Sequence, residues 1–175
     1  MSRVFRNERQ ERHFMIRPMD IGDAPAVLDI YKKGLETRNA TFETVVPDWG
    51  HWDSSHHKFC RFVYEKNGKV VGWGALASVS NRSCYKGVAE ISIYVDTDNL
   101  GRGIGGQLMQ ALVESSERNG IWTLYASIFA ENVASYKMHL RHGFREVGTR
   151  ERIAQLDGIW RDTLILERRS NRVGI

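Results

Sequence analysis

Cysteine and proline are scarce in this chain, which has two of the first and three of the second among 175 residues. Cys60 and Cys84 are too few for a disulfide framework or a cysteine-built metal cluster. No apolar run approaches the roughly 20 residues that a membrane-spanning helix needs, so no membrane partner is expected. The first residues are polar and rich in Arg, unlike a secretory signal, and a cytoplasmic location is the expectation. Internal repeats, low-complexity tracts and interdomain linkers are missing too, which points to a single domain. His51, Asp53, His56 and His57 crowd together, but their spacing matches no standard site. They read as an exposed polar helix, and no metal is expected.

What is present is ordinary for a globular protein: 42% hydrophobic residues, 26% charged, and a net charge of +4. Part of that charge lies in Arg3, Arg6, Arg9 and Arg12, which face only Glu8 and Glu11. Residues 1–13 are therefore expected to be a solvated, poorly ordered tail with no nucleic-acid role. Residues 14–170 form the expected domain.

Phe14 to Arg17 is a strand candidate closed by Pro18, and Asp20 or Asp23 can cap a helix. The apolar face of that helix runs through Ala26, Val27, Ile30, Tyr31 and Leu35. Thr37 to Asp53 has no clear period, and a short helix over about 53–61 is expected to follow it. Two strand patterns, 62–66 and 70–77, flank Asn67-Gly68, a strong hairpin signal. Ala89 to Val95 alternates as a strand. A glycine-rich turn and a long helix over about 103–119 follow, with Leu108, Met109, Leu112 and Val113 as its buried stripe. A strand over 123–128 comes next, then a helix opened by Asn132 or Ser135 and stopped at Gly143. Two last strands, 144–153 and 159–166, join through Asp157-Gly158. Trp73, Trp122 and Trp160 read as sheet core. The expected class is α/β: a mixed, mostly antiparallel central sheet with flanking helices and a central β-α-β unit.

The turn Gly101-Arg102-Gly103-Ile104-Gly105-Gly106 joins a strand to a helix. Glycines let the backbone approach a ligand and expose successive N–H groups at a helix N-terminus, where an anion is favoured. Arg102 adds a side-chain cation. The letters match the dinucleotide fingerprint, but antiparallel strands precede the turn and too little chain follows for a doubly wound sheet. A nucleotide P-loop fails because no Gly-Lys-Ser/Thr ends the turn. The pyrophosphate of coenzyme A is the remaining candidate.

The strand ending at Val95, this turn, and the segment from Asn132 through His139-Leu-Arg-His-Gly-Phe144 resemble the GCN5-related N-acetyltransferase pattern. Ile16-Arg-Pro18, Thr41-Phe-Glu43, Ala89 to Val95 and His139 are similar to its phosphinothricin and methionine sulfoximine acetyltransferase group. The likeness spans residues 14–168. Gly103 and Gly105 match the glycines of the pyrophosphate motif, whereas Leu100 stands at its usual Gln/Arg position.

The resemblance implies acetyl-CoA as co-substrate and direct acetyl transfer to a small-molecule amine. Glu90 is implied as the general base; burial among Ile91, Ile93 and Val95 would raise its pKa, whereas a solvent-facing Glu beside Ser92 and Tyr94 is the competing reading. His139 stands where most members carry a tyrosine that protonates the leaving thiolate, and Tyr136 is the backup acid. Ile93, Tyr94 and Val95 would pair with the pantetheine arm, and Asn132 would reach its amides or cap its helix. Phe42, Glu43, Arg82 and Tyr85 are the candidate acceptor contacts, a cation and an aromatic wall suiting an amino acid with an acidic group. A homodimer and a part in herbicide or antibiotic resistance are expected from the family. Acetylation of protein N-termini, or CoA binding without catalysis, are the competing functions.

Overall fold

Residues 14–175 of the chain are described by the computed structural model; the tail expected at 1–13 lies outside them. Seven strands are β1 (Phe14–Pro18), β2 (Phe62–Lys66), β3 (Lys69–Ser78), β4 (Val88–Val95), β5 (Thr123–Phe129), β6 (Arg145–Leu156) and β7 (Ile159–Arg169). Four α-helices are α1 (Ala24–Glu36), α2 (Trp49–Ser55), α3 (Ile104–Arg118) and α4 (Val133–Arg141). The strands form one sheet in the order β1-β2-β3-β4-β5-β7-β6, and β4–β5 is its parallel pair. The mixed, mostly antiparallel sheet is the one expected.

Both hairpin signals work through backbone conformation. Asn67 and Gly68 have φ of 51° and 74°, and Asp157 and Gly158 have 51° and 79°. Two successive left-handed residues are what a type I′ turn requires, and Asn-Gly and Asp-Gly supply them at little steric cost. The sheet is packed on both faces. Leu108, Met109, Leu112 and Val113 of α3 bury one face with Leu76, Ile91, Leu124 and Leu166. Val27 and Ile30 of α1 cover the other, with Trp52, Val63, Trp73 and Ala75. Burying a side chain of this size stabilises by about 1.5–3 kcal/mol, so the two layers fix the helices to the sheet.

Three sequence expectations change. The short helix lies at Trp49–Ser55, not 53–61, because the Asp48 carboxylate accepts from the His51 N–H at 2.8 Å and caps it early. His56 is already extended and ends it. The His51–His57 cluster is therefore not an exposed polar helix. Trp52 is 2% exposed and anchors the segment, His56 stacks on it at 4.2 Å, and Asp53 pairs with Lys58 and Arg61. Of the three tryptophans read as core, Trp73 is buried, Trp122 is half-buried, and Trp160 lies exposed near the tip of the β6–β7 hairpin. Trp160 reads as core by residue type, but among the described residues no helix packs on the tip of that hairpin.

Candidate active site

β4 and β5 pair only where Val88, Ala89 and Glu90 face Thr123, Leu124 and Tyr125. Beyond Glu90 they part, while β4 stays paired with β3 to Val95 and β5 with β7 to Phe129. Each strand thus turns one backbone edge toward the gap. A cavity of about 330 Å³ opens there, lined by Ile91, Ile93 and Tyr94 on one side and Ala126, Ile128 and Phe129 on the other. The α4 residues Met138 and His139 close it.

Alternation along β4 divides the chemistry. Ile91 and Ile93 turn toward α3 and its core. Glu90, Ser92 and Tyr94 turn toward α1 and α2, where a second cavity of about 610 Å³ lies. Ala77, a small residue opposite Glu90, forms part of its floor. Tyr31, Trp52, Trp73 and Tyr94 wall it, and Glu43, Asp48 and Glu90 place three carboxyl groups in its lining, with no Lys or Arg there among the described residues. Glu90, Glu43, Thr41, Ser92 and Tyr94 line both cavities. Gly34 of α1 admits the Tyr94 ring, since a Cβ there would stand 2.6 Å from it.

Burial raises the Glu90 pKa above the ordinary carboxylate range. Burial also raises Tyr94 and lowers His139. His139 is 5% exposed, and its Nδ1 lies 2.8 Å from the Ser135 carbonyl. A carbonyl only accepts, so Nδ1 carries the proton and Nε2 is left as the acceptor of the neutral ring.

The glycines of the turn have separate tasks. Gly101 and Gly103 have φ of 72° and 78°, and a Cβ on either would meet open space. They shape the turn that caps α3, leaving a free approach to its first N–H groups. Gly105 instead serves packing, with a Cβ there 2.9 Å from Met138 Sδ of α4. Behind the turn, Asp96 is 3% exposed, bonds Lys33 Nζ at 2.7 Å and accepts from the Asp98 N–H. That ties the turn to α1.

The sequence profile of the acetyltransferase (GNAT) family matches residues 25–144. The chain belongs to this family. A Bacillus subtilis (strain 168) protein, YwnH, provisionally named a phosphinothricin acetyltransferase, is 36% identical over 83% of this chain and 93% of its own length. The L-methionine sulfoximine/L-methionine sulfone acetyltransferase of Pseudomonas aeruginosa PAO1 is 28% identical over 87% of this chain and 92% of its own. Among solved structures, a ribosomal-protein-alanine N-acetyltransferase from Brucella melitensis superposes with a TM-score of 0.84 at 30% identity, covering 89% of this chain and 99% of the other. A phosphinothricin acetyltransferase from Sinorhizobium meliloti, solved with acetyl-CoA, gives 0.84 at 23% identity over 92% and 90%. The chain is thus an N-acetyltransferase with the GNAT fold, and acetyl-CoA is its acetyl donor.

Within this GNAT site, the structure gathers Glu90, His139, Ile93, Tyr94, Asn132, Phe42 and Glu43 around the first cavity. Val95, Gly101, Arg102, Gly103, Ile104, Gly105 and Gly106 lie at the adjoining α3 end, where Ile104 is buried and Arg102 is exposed with its guanidinium near the Asp98 carbonyl. Three of the expected site residues, Tyr136, Arg82 and Tyr85, lie away from both cavities. Tyr136 donates its hydroxyl to Glu146 at 2.9 Å and lines neither cavity. Spacing of three residues put it on the face of His139, but the longer side chain reaches across to β6. Arg82 and Tyr85 also line neither; they stack on each other at 5.4 Å on an exposed loop. Asn132 caps α4 through Oδ1, and its amide donates to the Asn39 carbonyl at 3.0 Å. Sequence reasoning also missed Trp52, Trp73 and Tyr31 as cavity walls. Trp73 read as core and Tyr31 as part of an apolar helix face, and nothing local set which rings would border open space.

Proposed function

We propose that the chain acetylates the amine of a small amino-acid-like molecule, by direct transfer from acetyl-CoA, with Glu90 as general base. The observation that supports this most is the position of Glu90: its half-buried carboxyl lines both cavities, where a donor thioester and an acceptor amine would meet. Gly101 to Gly106 at the start of α3 would hold the pyrophosphate, with Arg102 adding charge. Ile93, Tyr94 and Val95 would offer the free backbone edge of β4 to the pantetheine arm, as to an added strand. In the second cavity, carboxylates and aromatic faces suit an ammonium ion. An amino-acid acceptor would enter with its ammonium toward Glu90 and its acidic group toward the mouth.

Glu90 would take a proton from the ammonium, directly or through a water, so that the nitrogen lone pair is free to attack the acetyl carbon. A backbone N–H near Tyr94 or Val95 would hold the developing charge on the carbonyl oxygen. As the C–N bond forms and the C–S bond breaks, Nε2 of the neutral His139 ring would accept the nitrogen's second proton and pass it to the leaving thiolate. Burial makes its imidazolium a stronger acid than free imidazole. The names of the relatives support phosphinothricin-like and methionine-sulfoximine-like acceptors, and inactivation of such compounds would confer resistance to them. A cytoplasmic homodimer belongs to the same reading.

Release of CoA thiol from acetyl-CoA tests it against phosphinothricin, methionine sulfoximine, methionine sulfone, common amino acids, a polyamine, an aminoglycoside and an alanine-first peptide. Saturable turnover with the glutamate-like or methionine-like compounds is expected. Turnover with the peptide alone would move the acceptor class to protein N-termini, as in the name of the Brucella neighbour. Silence across the panel would overturn the assignment.

A further inference from the structure

The segment that follows α1 crosses both cavities, yet little of its own sequence holds it there. Ala40, Thr41, Phe42 and Glu43 line the first cavity, and Thr41 and Glu43 the second as well. The segment has no regular structure from Ala40 to Asp48, and Arg38 turns through a positive φ of 56°. Its contacts come from the far end of the chain. Arg161 on β7 donates from Nη1 to the Arg38 carbonyl at 3.1 Å and from Nη2 to Asn39 Oδ1 at 3.4 Å. The same guanidinium is braced from behind by Glu131, at 3.3 Å from Nε and 3.1 Å from Nη2. Its Cζ lies 4.1 Å from the centre of the Phe129 ring, and Phe129 meets Phe42 edge-to-face at 4.7 Å.

One side chain, 15% exposed, therefore touches the segment, the cavity wall and the β5–α4 turn together. A planar fork with several donors can do this; an ammonium cannot. Asn132 adds a fourth tie at the Asn39 carbonyl. These ties fall on Arg38, Asn39 and Phe42, immediately beside Thr41 and Glu43 of the acceptor cavity, and Asp157 adds an ion pair to Arg38 at 3.3 Å. None of them falls on the glycine-rich turn.

We infer that Arg161 is a positioning residue for the acceptor amine: it latches residues 38–43 across the cavities and so places Phe42 and Glu43, without itself touching the donor. The inference rests on the acetyl-transfer reading only for its kinetic readout. Its test uses Arg161→Lys and Arg161→Ala in the full chain, with two measurements. Hydrogen exchange is followed on the amides of residues 38–45 and on those of α3. In parallel, KM is measured separately for acetyl-CoA and for whichever amine the wild type accepts.

The latch predicts faster exchange in the segment, about tenfold or more, with α3 unchanged. It also predicts an acceptor KM about tenfold higher in both variants, with the KM for acetyl-CoA within twofold of wild type. Tenfold corresponds to 1.4 kcal/mol, about one charge-assisted hydrogen bond. A general structural role would instead raise both KM values and loosen α3. That outcome, or unchanged exchange at 38–45, would overturn the inference. If Arg161→Ala does not fold, Arg161→Lys carries the same test, since it keeps the charge against Glu131 but loses the fork. If the wild type turns over no amine, the acetyl-transfer reading has failed, and exchange still decides the latch.

Discussion

The two halves of the site are built by different means. On the donor side, a regular strand, a turn and a fifteen-residue helix follow one another without interruption, from Val88 to Arg118. Its shape comes from backbone conformation at Gly101 and Gly103, and one distant tie, Asp96 to Lys33 of α1, anchors the turn. On the acceptor side, the segment 37–48 has almost no regular structure and is held by side chains from Arg161, Asn132 and Asp157, more than ninety positions away for each of the first two. The difference has a physical reason. A pyrophosphate is common to every acetyl-CoA, and backbone N–H groups suffice for it. An acceptor differs from enzyme to enzyme, and loops tied to a rigid frame are where such contacts vary.

Glu90 belongs to both halves, and its replacement should have the largest effect. Glu90→Gln is expected to lower kcat by about 10²–10⁴-fold, read by thiol release, while acetyl-CoA binding measured by calorimetry stays within twofold. The same variant should melt at a higher temperature than wild type near neutral pH. Its carboxyl has a raised pKa in the fold, so ionising it costs stability as pH rises from the unfolded value through the folded one. Gly103→Val separates the halves from the donor side. A non-glycine residue held in a left-handed conformation costs about 1–3 kcal/mol, so acetyl-CoA affinity should fall about 5–150-fold while the acceptor KM stays put. Ala77→Leu separates them from the acceptor side by raising the floor of the second cavity opposite Glu90. The acceptor KM should rise about tenfold, roughly the effect of misfitting one or two methylenes, with acetyl-CoA binding untouched. If either variant disturbed both substrates equally, the division would be wrong.

The same contrast describes what could be read without coordinates. Both I′ hairpins, the Leu108–Val113 stripe and the strand over Ala89–Val95 were legible because their signals lie within a few residues of each other. The glycine-rich turn into α3 was legible for the same reason. Helix α2 was misplaced because its start depends on the Asp48 cap inside an aperiodic stretch. Tyr136, Arg82 and Tyr85 were assigned by residue type and spacing, but partners elsewhere in the chain or an exposed loop decide where their side chains go. Asn132 was legible as a cap; its tie to Asn39 was not. Arg161 carries no local signal at all, sitting in an alternating strand beside an ordinary Asp.

Glu90, half-buried where the two cavities adjoin, is proposed as the base through which the two halves meet. The pH dependence of kcat/KM for the accepted amine, in wild type and Glu90→Gln, tests it most directly. The wild type should lose activity toward acid along a limb whose apparent pKa lies above the ordinary carboxylate range, and Glu90→Gln should show a flat, strongly reduced profile over the same interval. An unchanged limb in Glu90→Gln, or turnover close to wild type, would contradict the account.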